Sequence, residues 1–583
     1  MAPGAWRQRQ RCWQVALPFE GAADLARQLG TSPLVAQVLH NRGASTLEAA
    51  RGFLQPRMDA LHDPRLMPNI EAAASRLAQA VARKEHITLY GDYDVDGMTG
   101  LAILRGVLAA AGASVDCYVP HRLEEGYGVN AEAVQKILAG PTRLIVTVDC
   151  GIGGVEPLEL ARQAGVDVIV TDHHQLPEHL PHAVAIVHPN LPGGGYPNPD
   201  LSGSGVAFKL AWQLARTLAG RDRLDAPMRD LLLESMCLAA LGIIADVVPL
   251  VGENRIFAAY GLKALATTKH VGLRALIDCS GLAGKSLDAY HVGFVLAPRL
   301  NACGRMGHAA LAVELLTTAP PQRSIEIAQY LSDQNEQRQK VEHEITDQAA
   351  EMVRARGMDR DDCRAIVLAG ENWHGGVIGI VASRLVDRFH RPTVLIALDG
   401  EAGQGSGRSV PGFNLHDALS ACAPYLLTFG GHAMAAGLRI ARNQVDDFAA
   451  AMNRQAQGLI PTERLRGVLE IDAEATVGGL DHNLAAHLAK LAPFGQGNPT
   501  PVLAFRGCRL IGQPKRMGRN GNTLCLTLGQ NGATMRAVGF GMGDLVDELP
   551  GINQIDVAAE PTINNFNGRS SVELKLRDVL LPE

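Results

Sequence analysis

Apolar and polar positions follow several different rhythms along this chain, and each rhythm predicts a different kind of element. Up to about residue 84 the apolar spacing is helical, as in Leu34-Val35-Ala36-Gln37-Val38-Leu39 and again over 72–81. From residue 86 short β-branched runs take over. They predict strands over 86–90, 115–119, 144–148, 166–170 and 184–187, with helices over 101–111 and 156–164 between them. Apolar strands alternating with helices indicate a parallel sheet covered on both faces. From 204 to about 318 the pattern is mostly helical. The stretch 322–356 contains neither Gly nor Pro and is rich in Glu, Gln, Arg and Ala, with apolar residues at Leu331, Val341, Ile345 and Met352. As one helix it would span roughly 50 Å at 1.5 Å per residue, polar on most faces, which suits a bridge between domains. A second α/β region follows, with strands over 365–368 and 393–397 around a helix over 377–389. Beyond about 464, short alternating segments separated by Gly and Asn predict a small β-barrel.

Length agrees with this division, since 583 residues are too many for one core and call for three or four domains. Apolar and charged contents of 47% and 20% are those of an ordinary soluble globular protein. The ten cysteines include no CxxC pair, which points to reduced thiols rather than a disulfide framework or a zinc ribbon. No signal peptide is expected from the charged N-terminus, and no apolar run is long enough to span a bilayer, so a cytoplasmic protein is expected. A net charge of −6 gives no global sign of nucleic-acid binding, but its distribution does. Residues 503–543 carry Arg506, Arg509, Lys515, Arg516, Arg519 and Arg536 and no carboxylate. Such a stretch predicts one basic face able to take a polyanion.

The candidate chemistry lies where apolar strands run out. Asp92-Tyr93-Asp94-Val95-Asp96-Gly97 follows the first strand of the parallel region, Asp149 the third, and Asp172-His173-His174 the fourth. Pro189-Asn190 follows the fifth, and Ala245-Asp246 falls within an apolar helical stretch over 231–248. Each has a structural reading when taken singly. The first is a solvated acidic turn or a helix cap, Asp149 a cap near Gly151, the adjacent histidines surface residues, and Asp246 half of a buried salt bridge. In an extended chain Asp92, Asp94 and Asp96 would all face one way. Together the segments point elsewhere. Carboxylates and imidazoles converging at strand ends repel unless they are protonated or a cation lies among them. Oxygen-rich ligation with one or two histidines suits Mn²⁺ or Mg²⁺ rather than a structural zinc. A two-metal phosphoesterase is the expectation, with ligands bound outside the carboxyl ends of the strands.

On these residues the sequence resembles the DHH phosphoesterase superfamily and, within it, the bacterial RecJ single-strand-specific exonucleases. Gly91-Asp-Tyr-Asp-Val-Asp-Gly97 resembles the first motif, Val148-Asp149 the second, Asp172-His173-His174 the third and Ala245-Asp246 the fourth. Arg299-Leu-Asn-Ala-Cys-Gly-Arg-Met-Gly307 resembles a further segment of that family. Gly405-Ser-Gly-Arg-Ser409 and Gly430-Gly-His-Ala-Met-Ala-Ala-Gly437 resemble the second domain associated with it. The resemblance implies an N-terminal helical region over 1–84, a parallel-sheet DHH catalytic domain over 85–320 and a connecting helix over 321–357. A second α/β domain, DHHA1, over 358–460 and an OB-fold over 461–583 complete it.

It also implies roles. Asp94, Asp96, Asp149, His173 and Asp246 would hold two divalent ions, with Asp149 bridging and Asp92 a further ligand. His174 and Arg299 would offset charge on the phosphoryl oxygens. Arg122, Ser406 and Arg408 would receive a terminal 5′-phosphate, for which guanidinium forks are suited. Asn301 and His432 would approach the nucleic acid, and Arg506, Lys515, Arg516 and Arg519 would hold the strand on the barrel. The barrel has few aromatics (Phe505, Phe540 and Phe566), so backbone contact should outweigh stacking there. The implied protein is a monomeric 5′→3′ exonuclease releasing mononucleotides from single-stranded DNA, with a helicase and a single-strand-binding protein as collaborators. Two rivals stand beside it: a superfamily member acting on small phosphate substrates, and a non-catalytic scaffold that keeps the fold. The C-terminal barrel is superfluous to the first, and the full set of ligand types argues against the second.

Overall fold

A computed structural model describes residues 10–121, 128–306, 308–566 and 568–582. They fall into two compact units, one of residues 55–337 and 492–499, the other of residues 1–54, 338–491 and 500–583. The N-terminal region is not wholly helical. Before its helices comes a strand, β1 (Cys12–Val15), in which exposed and half-buried positions alternate.

The 55–337 unit is built on a five-stranded parallel sheet of β2 (His86–Gly91), β3 (Ser114–Tyr118), β4 (Thr142–Val148), β5 (Asp167–Thr171) and β6 (Ala185–Val187). Their spatial order is β3-β2-β4-β5-β6. Helices cover both faces, and this explains why the strands read as continuous apolar runs rather than alternating ones. Ile87, Leu89, Leu144 and Val146 pack on one side with the helices Val95–Ala110 and Gly203–Ala219. Tyr90, Ile145, Val168 and Val170 pack on the other, with Ala133, Val134 and Leu158 from two shorter helices. The rest of the unit is helical, including Ala226–Ala245, Gly252–Ala266 and Ala297–Met306.

The long Gly- and Pro-poor stretch is one helix, Pro321–Ala355, and both its halves carry a buried stripe. Ile327 and Leu331 belong to the core of the 55–337 unit, while Ile345, Ala349 and Val353 belong to a core of the other.

In that second unit β7 (Ile366–Glu371) and β8 (Thr393–Asp399) pair in parallel around the helix Gly375–Phe389. Three further strands, not signalled by the apolar pattern, extend the sheet: β9 (Ala402–Arg408), β10 (Thr428–Gly431) and β11 (Ala435–Ala441). They were hidden because the segment 402–408 holds glycines where a strand usually places β-branched residues. A Cβ at Gly405 would lie 2.7 Å from Leu438 Cδ1, so the glycine makes room for the neighbouring strand's side chain. Next comes β12 (Val468–Ile471), which pairs in parallel with β1, so the strand near the N-terminus completes its structure on the C-terminal region.

The last sheet runs β13 (Ala473–Glu474), β14 (Leu503–Leu510), β15 (Lys515–Met517), β16 (Thr523–Gln530), β17 (Ala533–Phe540), β18 (Gln554–Phe566) and β19 (Arg569–Leu580) along the chain. Its spatial order is β13-β14-β18-β19-β17-β16-β15, and β14 also pairs with β16. The ring β14-β18-β19-β17-β16 therefore closes on itself. No described helix is long and apolar enough to cross a membrane.

Candidate metal centre

The register of the parallel sheet assembles the site. Gly91 lies opposite Val148, Val148 opposite Thr171 and Thr171 opposite Val187. The next residue on each strand is Asp92, Asp149, Asp172 or His188, so four chemistry-bearing residues form a row along the carboxyl edge. Three of their amides continue the ladder: Asp92 to Val148 O at 3.2 Å, Asp149 to Thr171 O at 3.0 Å and Asp172 to Val187 O at 3.2 Å. Neighbouring strands are about 4.8 Å apart, close to the separation at which two carboxylates can share cations.

The first acidic segment is not extended, as its alternation suggested. The strand stops at Gly91 and the helix starts at Val95, so the three aspartates are brought together by a strand-to-helix turn. Asp94 is the helix N-cap, its Oδ1 accepting from the amides of Asp96 at 3.0 Å and Gly97 at 3.1 Å. Capping occupies one oxygen and leaves the other, so cap and ligand are compatible. A Cβ at Gly97 would sit 2.6 Å from Asp92 O, which is why the turn needs glycine there. Asp96 lies one turn into the fold and is buried. Its Oδ1 accepts from Ser202 Oγ–H at 2.9 Å and Ser204 N–H at 3.1 Å, at the start of the Gly203 helix.

What remains after these bonds is informative. Among the described residues, Asp96 Oδ2, Asp149 Oδ1 and His173 Nε2 are buried without a hydrogen-bond partner. Buried polar atoms are almost always paired, so three together mark a place for something that coordinates them. They point at one another: His173 Nε2 is 3.1 Å from Asp149 Oδ1, 3.6 Å from Asp246 Oδ2 and 3.9 Å from Asp96 Oδ2. Three overlapping sets, Asp149/His173/His174, Asp96/His173/Asp246 and Asp92/Asp94/Asp149, each bring their donor atoms within 4.8 Å of one another. Asp149 belongs to two sets and His173 to two. This donor chemistry, carboxylate oxygens with one or two imidazoles, fits two hard divalent ions.

The electrostatics agree. Burial, then the charges of Asp96, Asp94 and Asp246, push the Asp149 carboxyl well above the usual carboxylate range. Burial and the same neighbours raise Asp246 to about 9, and burial with Asp96 raises Asp94. The cluster thus holds protons by itself and would exchange them for cations. Burial keeps His173 low and neutral, the form that ligates.

The carboxylate of Asp172, the acid of the Asp-His-His motif, is taken up by hydrogen bonds. Its Oδ1 accepts from His173 N–H at 2.7 Å, His174 N–H at 3.1 Å and His174 Nδ1–H at 2.7 Å, and its Oδ2 from Ile152 N–H at 2.9 Å. Burial opposes its ionisation, yet these bonds hold it below the ordinary carboxylate value. Burial lowers the His174 imidazole, but the Asp172 bond and charge outweigh burial and raise it to about 9. Its Nδ1–H is fixed on Asp172. His188 finishes the support. Its Nδ1 accepts from Asn190 N–H at 3.0 Å, so its Nε2–H donates to His174 O at 2.8 Å.

Two glycines that sequence reading passed over make the cluster possible. A Cβ at Gly203 would fall 2.3 Å from Asp149 Oδ1, and one at Gly242 would fall 2.3 Å from Asp96 Oδ1. Asp149 itself has φ of 61°, an uncommon value for a residue with a side chain. Ser202 could have been found as a cap ahead of an apolar helical run. The glycines carry no local signal, because what crowds them comes from elsewhere in the chain.

The other predicted residues divide. Asp246 is the C-cap of the helix Ala226–Ala245, at its end rather than within it. Asn301 Oδ1 accepts from Val95 N–H at 3.1 Å and so steadies the turn that carries Asp92, Asp94 and Asp96. Arg299 is not brought to the carboxylates: its guanidinium donates to Val295 O at 2.6 Å and to Ser332 Oγ at 3.3 Å. Arg122 lies outside the described residues. In the other unit Ser406 and Arg408 are paired on β9, with Arg408 Nη1 3.2 Å from Ser406 Oγ. Both lie against Gly379, where a Cβ would be 2.9 Å from Ser406 Oγ and 3.1 Å from Arg408 Nη2. His432 is exposed in the turn between β10 and β11.

The carboxylate-free basic stretch of the barrel is corrected by its partners. Arg506 pairs with Glu474 at 3.1 Å and Asp556 at 2.9 Å and lies over the Trp13 ring. Arg516 pairs with Asp547, and Arg536 with Glu573 at 2.7 Å. The fold brings acids from outside 503–543 to these arginines, which a linear charge count cannot see. Arg509, Lys515 and Arg519 are exposed and have no ion pair among the described residues.

Comparison with known proteins agrees with this geometry. The chain matches the DHH family N-terminal domain over residues 86–240, the DHHA1 domain over 362–458 and the RecJ OB domain over 471–578. It is 39% identical over 574 residues to the single-stranded-DNA-specific exonuclease RecJ of Bacillus subtilis, covering 98% of this chain and 71% of that protein. It is 36% identical to the enzyme of that name from Thermus thermophilus, covering 91% of this chain and 74% of the relative. Crystal structures of Thermus thermophilus RecJ with Mn²⁺ and with Mg²⁺ superpose with TM-scores of 0.84 and 0.78 at 31% and 30% identity. Each covers 99% of this chain, and 80% and 79% of the respective solved chain.

Proposed function

The chain belongs to the RecJ family, and from that premise we propose that it hydrolyses single-stranded DNA stepwise from the 5′ end to 5′-mononucleotides, in DNA repair and recombination. The observation that carries the reading is the convergence of Asp96 Oδ2, Asp149 Oδ1 and His173 Nε2, buried and without hydrogen-bond partners among the described residues, beside Asp246. Asp92, Asp94, Asp96, Asp149, His173 and Asp246 would hold two divalent ions, Mn²⁺ or Mg²⁺, with Asp149 common to both. Ions held there would supply an activated water and offset the negative charge on the attacking and leaving oxygens of an in-line displacement. Asp172 orients His174 and keeps it protonated, so that Nε2–H can stabilise charge on a phosphoryl oxygen. Asn301 and Asp94 hold the turn on which three of the carboxylates sit.

The barrel supports a strand substrate rather than a small phosphoester. Its exposed Arg509, Lys515 and Arg519 suit a nucleic-acid backbone. Ser406 and Arg408, adjoining on β9, suit a terminal phosphate. A helicase would supply single strands and a single-strand-binding protein would deliver them, in the cytoplasm, to a monomeric enzyme. The test is digestion of a long single strand labelled at either end, with Mn²⁺ and with EDTA. Early release of the 5′ label as mononucleotide, lost in EDTA and in Asp149→Ala, is expected. Early release of the 3′ label would reject the polarity, and activity surviving in Asp149→Ala would reject the site.

A further inference from the structure

Asp246 is held differently from Asp94 and Asp96. Asp94 and Asp96 are fixed by bonds to their carboxylates, as is Asp172 behind the histidines. Among the described residues no hydrogen bond ends on the Asp246 carboxylate, which lies 3.6 Å from His173 Nε2. Its position therefore depends on its backbone. The helix ahead of it ends at Ala245, and the next residue, Val247, is β-branched with φ of 61°, an arrangement that persists only where surrounding structure enforces it. The following anchors are Pro249 and Leu250. Pro249 O accepts from Asn254 Nδ2 at 3.1 Å, and Leu250 N–H donates to Gln496 O at 2.7 Å.

Gln496 belongs to a short excursion of the chain. Residues 492–499 are part of the 55–337 unit, while the chain on either side, through Leu491 and from Thr500, belongs to the other. The segment fits closely against the Asp246 loop. A Cβ on Gly495 would lie 2.7 Å from Leu250 Cδ1, and one on Gly497, whose φ is 71°, would lie 3.1 Å from Pro249 Cβ. The segment is held in turn by a buried cation. Arg255 is 2% exposed and donates from Nη2 to Ala492 O at 2.8 Å and from Nη1 to Pro493 O at 3.3 Å. Asn498, fully buried, donates from Nδ2 to Pro493 O at 2.9 Å. Arg255 lies on the helix that the Asp246 loop enters, so loop, helix and segment form one closed set of bonds.

We propose that residues 492–499, locked by Arg255, are a brace that positions the metal ligand Asp246. A segment from the far end of the sequence thereby completes one of the two metal positions, and Arg255 is a positioning residue. The inference rests on the metal-centre reading above. It predicts a selective effect, because the ligands of the set Asp92/Asp94/Asp149 do not depend on this loop, whereas the set Asp96/His173/Asp246 does.

The test is Mn²⁺ binding to the full chain, with free Mn²⁺ read from its electron paramagnetic resonance signal. Wild type should bind two ions. Arg255→Lys keeps a cation but cannot span two carbonyls, and Gly497→Val presses on Pro249. In each, one class of site should weaken at least tenfold while the other stays within twofold. Leu265→Ala, a core truncation farther along the Arg255 helix, should leave both classes unchanged. Equal affinities in all variants, or equal weakening in Leu265→Ala, would overturn the brace. A wild-type chain that binds no Mn²⁺ would overturn the metal-centre reading instead. Should the variants fail to fold, hydrogen exchange on the wild type decides. Coupling is reciprocal, so Mn²⁺ should slow exchange over 493–499 as well as over 247–251, and the slowing at 493–499 should vanish in Asp246→Ala. Exchange over 493–499 indifferent to Mn²⁺ would overturn the proposal.

Discussion

Replacing Gly203 by alanine separates the construction of the metal centre from the stability of the fold. The added methyl would stand 2.3 Å from Asp149 Oδ1, 2.5 Å from its Cβ and 2.6 Å from its Cγ. Carbon atoms rest at about 3.5 Å or more, so the carboxylate, or the helix start carrying residue 203, must shift by about 1 Å. The crowded atoms are the stem and head of the side chain shared by two of the ligand sets, and its backbone is already at φ of 61°. A displacement of about 1 Å in a reacting constellation costs roughly 10²-fold in rate, or about 2.7 kcal/mol of transition-state stabilisation.

The fold should be far less affected. Gly203 has no positive φ and opens a helix, where alanine is the better helix former by up to about 1 kcal/mol. Overpacking costs about 1–3 kcal/mol, against a stability of about 5–15 kcal/mol for a typical domain. Two measurements check this: initial rates of mononucleotide release from a 5′-labelled single strand at saturating Mn²⁺, and denaturant unfolding in EDTA. The expected result is a hundredfold lower kcat with unfolding shifted by no more than about 2 kcal/mol. A Gly203→Ala chain with kcat within threefold of wild type would refute the claim that Asp149 is placed by the space this glycine leaves.

Other outcomes follow from the same geometry. Asp172→Asn exchanges one acceptor oxygen for a donor where four N–H groups converge, so His174 should lose its cation. The alkaline limb of the pH–kcat profile should move down by about two units or more, with kcat lower by about 10²-fold, and an unmoved limb would reject the role assigned to Asp172. Metal-free protein should lose stability as pH rises. The Asp246 carboxyl and the His174 imidazole both hold a proton up to about pH 9 when folded, whereas unfolded they release it near 4 and 6.5. Between pH 6.5 and 9 the folded chain therefore binds more protons, and stability should fall as pH rises through that range. Unfolding in EDTA across that range measures this, and added Mn²⁺ should flatten the slope. On the barrel, Lys515→Gln or Arg519→Gln should each lower the salt dependence of single-strand binding by about 0.7 in logarithmic slope. Arg516→Gln, whose charge is already matched by Asp547, should change it by less than half as much.

The amino-acid sequence by itself determined the parallel sheet, the long helix and the location of the chemistry. The physical reason is local: β-branched runs and acidic strand ends are written in consecutive residues, so Asp92, Asp149 and the Asp172-His173-His174 motif can be read at the carboxyl edge from one segment each. Tertiary structure alone decided what those residues do. Register put Asp149 beside His173 and spent Asp172 on orienting His174 rather than on a metal. Close approach made Gly203 and Gly242 necessary, and acids from outside 503–543 paired with Arg506 and Arg516, which a linear charge count leaves free. Parallel pairing between residues 12–15 and 468–471 turned part of an expected helical region into strand, since a strand edge offers backbone bonds that local propensity cannot foresee. Most of these outcomes join residues from about twenty to several hundred positions apart, and the pattern of either segment alone does not specify the meeting.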